Sequence, residues 1–221
     1  MAKPVGRTGY FRAQVMEDGS VQGSYQRLEY PAEKAEVESL IAGWFVDSMA
    51  RASITAGDAP LFSDLKPNPE NDFDFTVATT RGPAYLELQE VAPLAGPYES
   101  APASYKPYEY AKYILSKIRE KSVRYPKNGV RDLFLLIYVT HWSFVFSATT
   151  VACLRVWLQQ EATVFRAIFA FTPHGSGEGE PRWLHPVPPE LREGFDPESV
   201  RENVCLNLDS ANTQVIQQRA P

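Results

Sequence analysis

The chain has 221 residues, of which 44% are hydrophobic and 22% charged, and this composition excludes a wholly disordered protein. The 22 Lys and Arg residues against 27 Asp and Glu residues give a formal net charge of −5, which excludes a protein that coats nucleic acid by bulk electrostatics. The longest unbroken apolar run, 133–139, is far shorter than the roughly 18 residues of a membrane span, and the N-terminus lacks the apolar segment of a secretory signal. We therefore expect a cytoplasmic protein with no membrane contact.

Two strands joined by a tight turn are predicted near the N-terminus, over residues 10–28. The residues alternate on both sides of 17–20, Glu-Asp-Gly-Ser, whose Asp-Gly pair suits the positive φ angles of a hairpin turn. Pro31 then stands where a first helical position should be, and apolar residues follow at helical spacing. This pattern predicts an amphipathic helix over about 31–52, and a loop rich in Pro, Gly and Asn after it, over 56–71.

A second hairpin is predicted from two alternating runs, 72–78 and 84–91, with Thr-Arg-Gly-Pro at 80–83 as the connection. After this hairpin the sequence predicts a Pro- and Tyr-rich surface loop at 93–107 and a helix at 108–125. Two buried strands, at 133–140 and 164–171, are predicted on either side of a helix from about 149 to 160. The remainder is predicted to be rich in loops, with a short strand at 203–208. These elements predict an α/β (α+β) fold with a mixed central β-sheet flanked by helices, in a single domain over 1–221.

Carboxylates are concentrated on the second hairpin. Asp72 and Asp74 share one face of the first predicted strand, and Glu87 and Gln89 share one face of the next. If the apolar faces of both strands pack on the same core layer, these polar faces also meet on one side. Clustered carboxylates repel one another, so a divalent cation such as Mg²⁺, which takes oxygen ligands and can activate a water, would stabilise them. The alternative interpretation is a solvated acidic face on a half-exposed hairpin.

Two runs carry a family resemblance: Asn-Asp-Phe-Asp-Phe-Thr-Val at 71–77 and Tyr-Leu-Glu-Leu-Gln-Glu-Val at 85–91. They are followed by a helix with Lys and Tyr and then by a hydrophobic strand. This order of elements resembles the restriction-endonuclease-like PD-(D/E)XK nuclease superfamily. That family places an Asp at the head of one strand and Glu-x-Lys on the next, usually with a Glu on the preceding helix. The resemblance covers about 31–171 and implies a nuclease-like core, to which the hairpin at 10–28 and the extension at 172–221 are additions. It also implies a metal-dependent nuclease that acts on DNA.

The resemblance implies a metal-binding set in this chain. Asp74 matches the metal-binding Asp, with Asp72 as a same-face alternative, and Glu87 matches the Glu of Glu-x-Lys. The main-chain carbonyl of Leu88 would be the corresponding backbone ligand, and the metal would be Mg²⁺ or Mn²⁺. Glu33 extends the core-facing stripe of the first helix towards its N-terminus, and we choose it as the preceding acidic residue.

Gln89 stands in the place of the family's Lys. A Gln carries no positive charge, although its amide can orient a water, and some members of the superfamily with Glu-x-Gln are active. A lysine of the following helix could supply the missing charge: Lys117 and Lys121 are one turn apart, and Lys121 with Tyr125 is the better match. The alternative is a catalytically inactive nuclease-like fold that serves as a nucleic-acid- or protein-binding module.

The net charge averages over two unlike parts of the chain. Residues 112–131 carry seven basic side chains and one acidic one, so the rest of the chain is strongly acidic. The basic segment directly follows the carboxylate hairpin, which predicts local contact with a nucleic-acid backbone, DNA in the first instance, and repulsion elsewhere. Many nucleases of the resembling family act as dimers, and the loop at 93–107 could supply the interface of a homodimer.

The cysteines and histidines show no metal-ligand spacing. Cys153 and Cys205 lie in apolar segments and are expected to be small core residues. His141 follows a buried strand without a second ligand at a recognisable spacing, so we expect a structural role. His174 and His185 lie in Pro- and Gly-rich loops and are predicted to be surface residues.

Overall fold

A computed structural model of the chain describes residues 9–16, 18, 20–56, 62–68, 70, 72–91, 104–125, 132–141, 144–175, 177–187 and 194–206. The elements in chain order are β1 (Gly9–Val15), β2 (Val21–Arg27), α1 (Lys34–Ala56), β3 (Phe62–Pro67), β4 (Phe75–Thr79), β5 (Gly82–Glu90), β6 (Ser104–Tyr105), α2 (Pro107–Val123), β7 (Leu133–Tyr138), α3 (Ala148–Leu158), β8 (Ala167–Gly175), β9 (Glu178–His185), a 3-10 helix (Pro197–Val200) and β10 (Cys205–Leu206). None of the helices in these ranges has the length and apolar character needed to cross a membrane.

The main sheet has six strands in the order β3-β4-β5-β7-β8-β9. The neighbouring strands β5, β7 and β8 are parallel to one another, and α2 and α3 lie in the crossover connections that parallel strands need. The outer strands join antiparallel on both sides. The predicted fold class is confirmed: the chain forms a mixed α/β fold in which helices flank a six-stranded sheet.

The sheet separates two hydrophobic layers. One face packs on α1, through side chains such as Ile41 and Phe45, and the other packs on α2 and α3. In β5, Leu86 and Leu88 belong to the α1 layer. Because neighbouring strand residues point to opposite faces, Glu87 between them points into the α2 layer. The alternation of side chains along β5 therefore places the Glu87 carboxylate on the face of the sheet that α2, with its lysines, covers.

Two strands lie where the sequence predicts loops. β3 falls within the predicted loop 56–71, and β9 falls within the predicted loop-rich extension 172–221. Both are edge strands of the main sheet. An edge strand buries few side chains and tolerates Pro and charge, so its sequence lacks the apolar alternation that identifies inner strands. Gly177, at φ +77°, makes the tight turn that leads from β8 into β9.

The predicted N-terminal hairpin is present as β1 and β2, which pair antiparallel from Gly9 opposite Arg27 to Val15 opposite Val21. The predicted loop 93–107 lies mostly outside the described residues. Its end, β6, pairs with the predicted last strand, which is present as β10.

The histidines are distributed partly as predicted. His141 is buried beside the Phe144 ring, with a distance of 5.8 Å between ring centroids, and His174 is exposed. His185, predicted to lie on the surface, is instead the last residue of β9 and is half-buried. Its Nδ1 is buried without a hydrogen-bond partner among the described residues. Burial lowers the pKa of this imidazole, because desolvation disfavours its charged form.

We expect His185→Gln to reduce the sensitivity of the fold to acid. Because the pKa of His185 is lower in the folded protein than the unfolded value of 6.5, the unfolded chain takes up the proton more readily, and stability is lost as the pH falls below that value. Urea unfolding at pH 7.5 and 5.5 should show a smaller loss of stability in His185→Gln than in the wild type. His174→Gln, at an exposed site, is the matched control. Equal losses in both variants and the wild type would contradict the assignment.

Candidate active site

Asp74 is fixed against the sheet at the start of β4. The register pairs Phe75 with Leu86, so residue 74 lies next to residue 87 across the β4–β5 hairpin. The Oδ2 atom of Asp74 accepts a hydrogen bond of 2.7 Å from the backbone N–H of Leu88. This bond holds the Asp74 carboxylate beside β5, and it leaves Oδ1 available for other contacts.

Glu87 is buried on the α2 side of the sheet, with 4% of the residue exposed. Its Oε1 atom accepts a hydrogen bond from Nζ of Lys121, which extends from the last turn of α2. Both side chains of this ion pair are at most 10% exposed. The second oxygen, Oε2, is buried and has no hydrogen-bond partner among the residues that the structure describes. A buried carboxylate oxygen without a partner is costly, so this oxygen is a candidate ligand atom for a bound group.

The pKa of Glu87 is raised, chiefly because burial disfavours the charged carboxylate. Lys121 opposes this shift and the nearby charge of Asp74 reinforces it. The Tyr125 hydroxyl also lies close enough to lower the pKa of Glu87, although it does not reach hydrogen-bonding geometry at Oε2. Tyr125 in turn stacks on Phe73, with ring centroids 5.4 Å apart. The Asp74 carboxylate is therefore close enough to Glu87 to raise the pKa of Glu87.

A third carboxylate comes from α1. Glu38 is 13% exposed at its side chain and forms an ion pair of 3.0 Å with Lys34. Burial raises the pKa of Glu38, the charge of Asp74 raises it further, and Lys34 and Lys121 lower it. Glu38 therefore shares an electrostatic environment with the two hairpin carboxylates.

The sequence pattern predicted Glu33, and not Glu38, as the acidic site residue contributed by the first helix. Glu33 precedes α1 and its side chain is exposed, while its backbone carbonyl accepts the first hydrogen bonds of the helix. The signal that could have identified Glu38 is Ala42, four residues later, which is fully buried. Residues four positions apart lie on the same side of a helix, so a buried Ala42 indicates that the side of α1 that carries Glu38 also faces the protein.

Lys34 is the second ammonium of this region, with 64% of its side chain exposed. Burial lowers its pKa, but the charges of Glu38, Asp74 and Glu90 outweigh that effect and raise it overall. Glu90 accepts a hydrogen bond of 2.5 Å from the Thr140 hydroxyl, and burial raises its pKa. Two ammonium groups thus balance several carboxylates, Lys121 from the α2 side and Lys34 from the α1 side.

The remaining predicted site residues have local partners. Asp72 and Asp74 were predicted on one strand face, but both precede β4, in a bend. Asp72 is exposed and accepts a hydrogen bond of 2.5 Å from the side-chain amide of Asn68. Gln89 donates from Nε2 to the backbone carbonyl of Glu90, at 2.7 Å. The structure therefore brings together Asp74, Glu87 and Lys121, and it places Asp72 outside that group.

The basic segment 112–131 is largely paired with acids. Four of the five basic side chains that the structure describes there form ion pairs: Lys112 with Glu109, Lys117 with Glu120, Arg119 with Glu161 and Lys121 with Glu87. Lys127 and Arg131 lie outside the described residues. The local positive field is therefore weaker than the charge count suggests, although surface pairs are weak enough for a phosphate backbone to compete with them.

The donor set suits a hard divalent cation. Asp74 and Glu87 offer carboxylate oxygens, and Oε2 of Glu87 is buried without a hydrogen-bond partner among the described residues. Glu38 is a neighbouring carboxylate that interacts electrostatically with Asp74. Within the described ranges, no three His, Cys, Asp or Glu side chains are grouped as a complete metal-binding set. A small donor set of this kind fits Mg²⁺ or Mn²⁺, since Mg²⁺ keeps several water ligands and uses only one or two carboxylates.

No protein-family model matches the chain, and no curated protein matches it. Among solved structures the chain is weakly similar to SfsA from Pyrococcus furiosus, solved in complex with Ca²⁺. The match covers 77% of this chain and 74% of that chain, at 12% sequence identity and a TM-score of 0.30. A similarity at this level does not assign the chain to a family.

Proposed function

We propose that the protein is a metal-dependent nuclease of the PD-(D/E)XK type that hydrolyses phosphodiester bonds, with DNA as substrate. Glu87 carries this proposal. It is a buried carboxylate next to a second carboxylate at Asp74. One of its oxygens accepts from a lysine, and the other has no hydrogen-bond partner among the residues that the structure describes. A site that only stabilised the fold would be expected to satisfy both oxygens.

Asp74 and Glu87 would hold the cation, Mg²⁺ or Mn²⁺, with the Leu88 carbonyl as a further oxygen donor. Glu38 would add negative charge near the cation without being a ligand. When bound, the cation would polarise the phosphate and lower the pKa of a water. Asp74 is already oriented for this role by its bond to the Leu88 N–H. The raised pKa of Glu87 is consistent with a carboxylate that a cation would keep ionised.

Lys121 would supply the positive charge that Gln89 lacks. Its ammonium lies within the carboxylate group, where it can stabilise negative charge that develops on the phosphate during hydrolysis. Gln89 could still orient a water if its amide left the Glu90 carbonyl. The exposed basic side chains of α2 and that of Arg124, which directly follows the helix, would contact the DNA backbone.

A cleavage assay on the intact chain tests this proposal. Supercoiled plasmid, linear duplex, single-stranded DNA and RNA are each incubated with protein and Mg²⁺ or Mn²⁺, and parallel samples contain EDTA. We expect cleavage of DNA that depends on the cation and disappears with EDTA. Binding of DNA without cleavage of any substrate would contradict the proposal and favour a catalytically inactive binding module.

A further inference from the structure

Lys121 contacts the same carboxylate that the proposed cation would use. Its ammonium lies on Oε1 of Glu87, inside a region where both side chains are at most 10% exposed. Two positive groups on one buried carboxylate repel one another strongly, because little water is present to screen them. The ion pair and cation binding are therefore not independent.

We infer that the Lys121 ammonium and a divalent cation compete for Glu87, so that loading the cation releases Lys121 from this carboxylate. The inference rests on the proposed function, because it assigns the cation to the same site. It adds a defined movement of one side chain, which the proposed function does not require.

The surroundings give the released ammonium somewhere to go. Asp74 lies next to Glu87 across the β4–β5 hairpin and is held there by the Leu88 N–H, so a second carboxylate lies near the released ammonium. The lysine stem has four flexible carbons, which allow the ammonium to move while α2 stays in place. The released group would remain among the carboxylates, where it can meet a phosphate. Cation loading would thus also place Lys121 for the reaction.

Lys34 provides a matched control for this competition. It lies in the same carboxylate group and interacts electrostatically with Asp74, but its ion pair is with Glu38 and not with Glu87. Removal of either ammonium reduces the repulsion that a cation meets at long range. Only the removal of Lys121 also frees an oxygen of Glu87.

The test is the affinity of the intact chain for Mn²⁺, measured by calorimetry in the wild type, Lys121→Met and Lys34→Met. We expect Lys121→Met to bind Mn²⁺ at least about fivefold more tightly than the wild type, the lower end of typical couplings between sites. Lys34→Met should show a clearly smaller gain. Equal gains in both variants, or weaker binding in Lys121→Met, would overturn the inference.

A second measurement uses the wild type and does not depend on the folding of a variant. The ¹⁵Nζ resonance of Lys121, assigned by through-bond correlations along its own side chain, should shift on addition of Mg²⁺, which is diamagnetic. An unchanged resonance at saturating Mg²⁺ would overturn the competition. Cation binding without DNA cleavage would instead refute the proposed function and leave the competition standing, so the two failures are distinguishable.

Discussion

Glu87→Gln and Asp74→Asn should each reduce the rate of cation-dependent DNA cleavage by more than roughly 100-fold. Loss of a residue that only hydrogen-bonds to a metal ligand costs roughly 10- to 100-fold, and the loss of a ligand should cost more. Each change removes one carboxylate charge and keeps the size of the side chain. An amide is a poor ligand for Mg²⁺ compared with a carboxylate, so cation affinity should fall together with the rate. Initial rates at several Mg²⁺ concentrations measure both effects.

Controls for this prediction come from the carboxylates that sequence reasoning also proposed. Asp72→Asn and Glu33→Gln change exposed side chains that lie outside the carboxylate group. Both variants should cleave at close to the wild-type rate. Glu38→Gln, in contrast, should reduce the rate. A loss at Glu33 equal to that at Asp74, with no loss at Glu38, would support the assignment made from sequence over the one made from geometry.

Lys121→Met should destabilise the fold by about 3–5 kcal/mol at pH 7.5, because it leaves the buried Glu87 charge without its partner. The double variant Glu87→Gln/Lys121→Met should recover most of that loss, since no buried charge is left uncompensated. The penalty of the single change should shrink as the pH falls, because the pKa of Glu87 is already raised and its protonation removes the charge. Urea unfolding of the four proteins of this cycle measures the coupling.

An exposed ion pair on the same helix provides a reference for the coupling energy between Glu87 and Lys121. Lys117 and Glu120 form an ion pair of 2.8 Å with side chains 29% and 56% exposed. The corresponding cycle on this pair should give a coupling of about 1 kcal/mol or less. Equal couplings for the surface pair and the buried pair would show that Glu87 is better hydrated than the structure indicates.

The inner sheet and its helices could be predicted from the sequence because their signals are strong. β7 is buried along its whole length and reads as an unbroken apolar run, and α2 carries a clear apolar stripe. β3 and β9 could not be predicted, because edge strands bury few side chains and their residues resemble a loop.

The candidate site could be predicted only in part, for a related reason. Alternation on a hairpin identifies Glu87, because β5 is a regular strand between two layers. The choice between Glu33 and Glu38 depends on which side of α1 packs against the sheet, and tertiary packing decides this. The contact of Lys121 with Glu87 joins residues 34 positions apart. The sequence predicted Lys121, ahead of Lys117, as a source of positive charge, and it did not predict this contact.

The central claim is that Asp74 and Glu87 together bind a divalent cation. Crystals of the intact protein soaked in MnCl₂ test it most directly, because the anomalous signal of manganese locates the ion without reference to any assumed ligand. The account predicts one strong peak with carboxylate oxygens of both Asp74 and Glu87 as direct ligands. A Mn²⁺ ion bound elsewhere, with Glu87 still paired to Lys121 and without contact to Asp74, would contradict it.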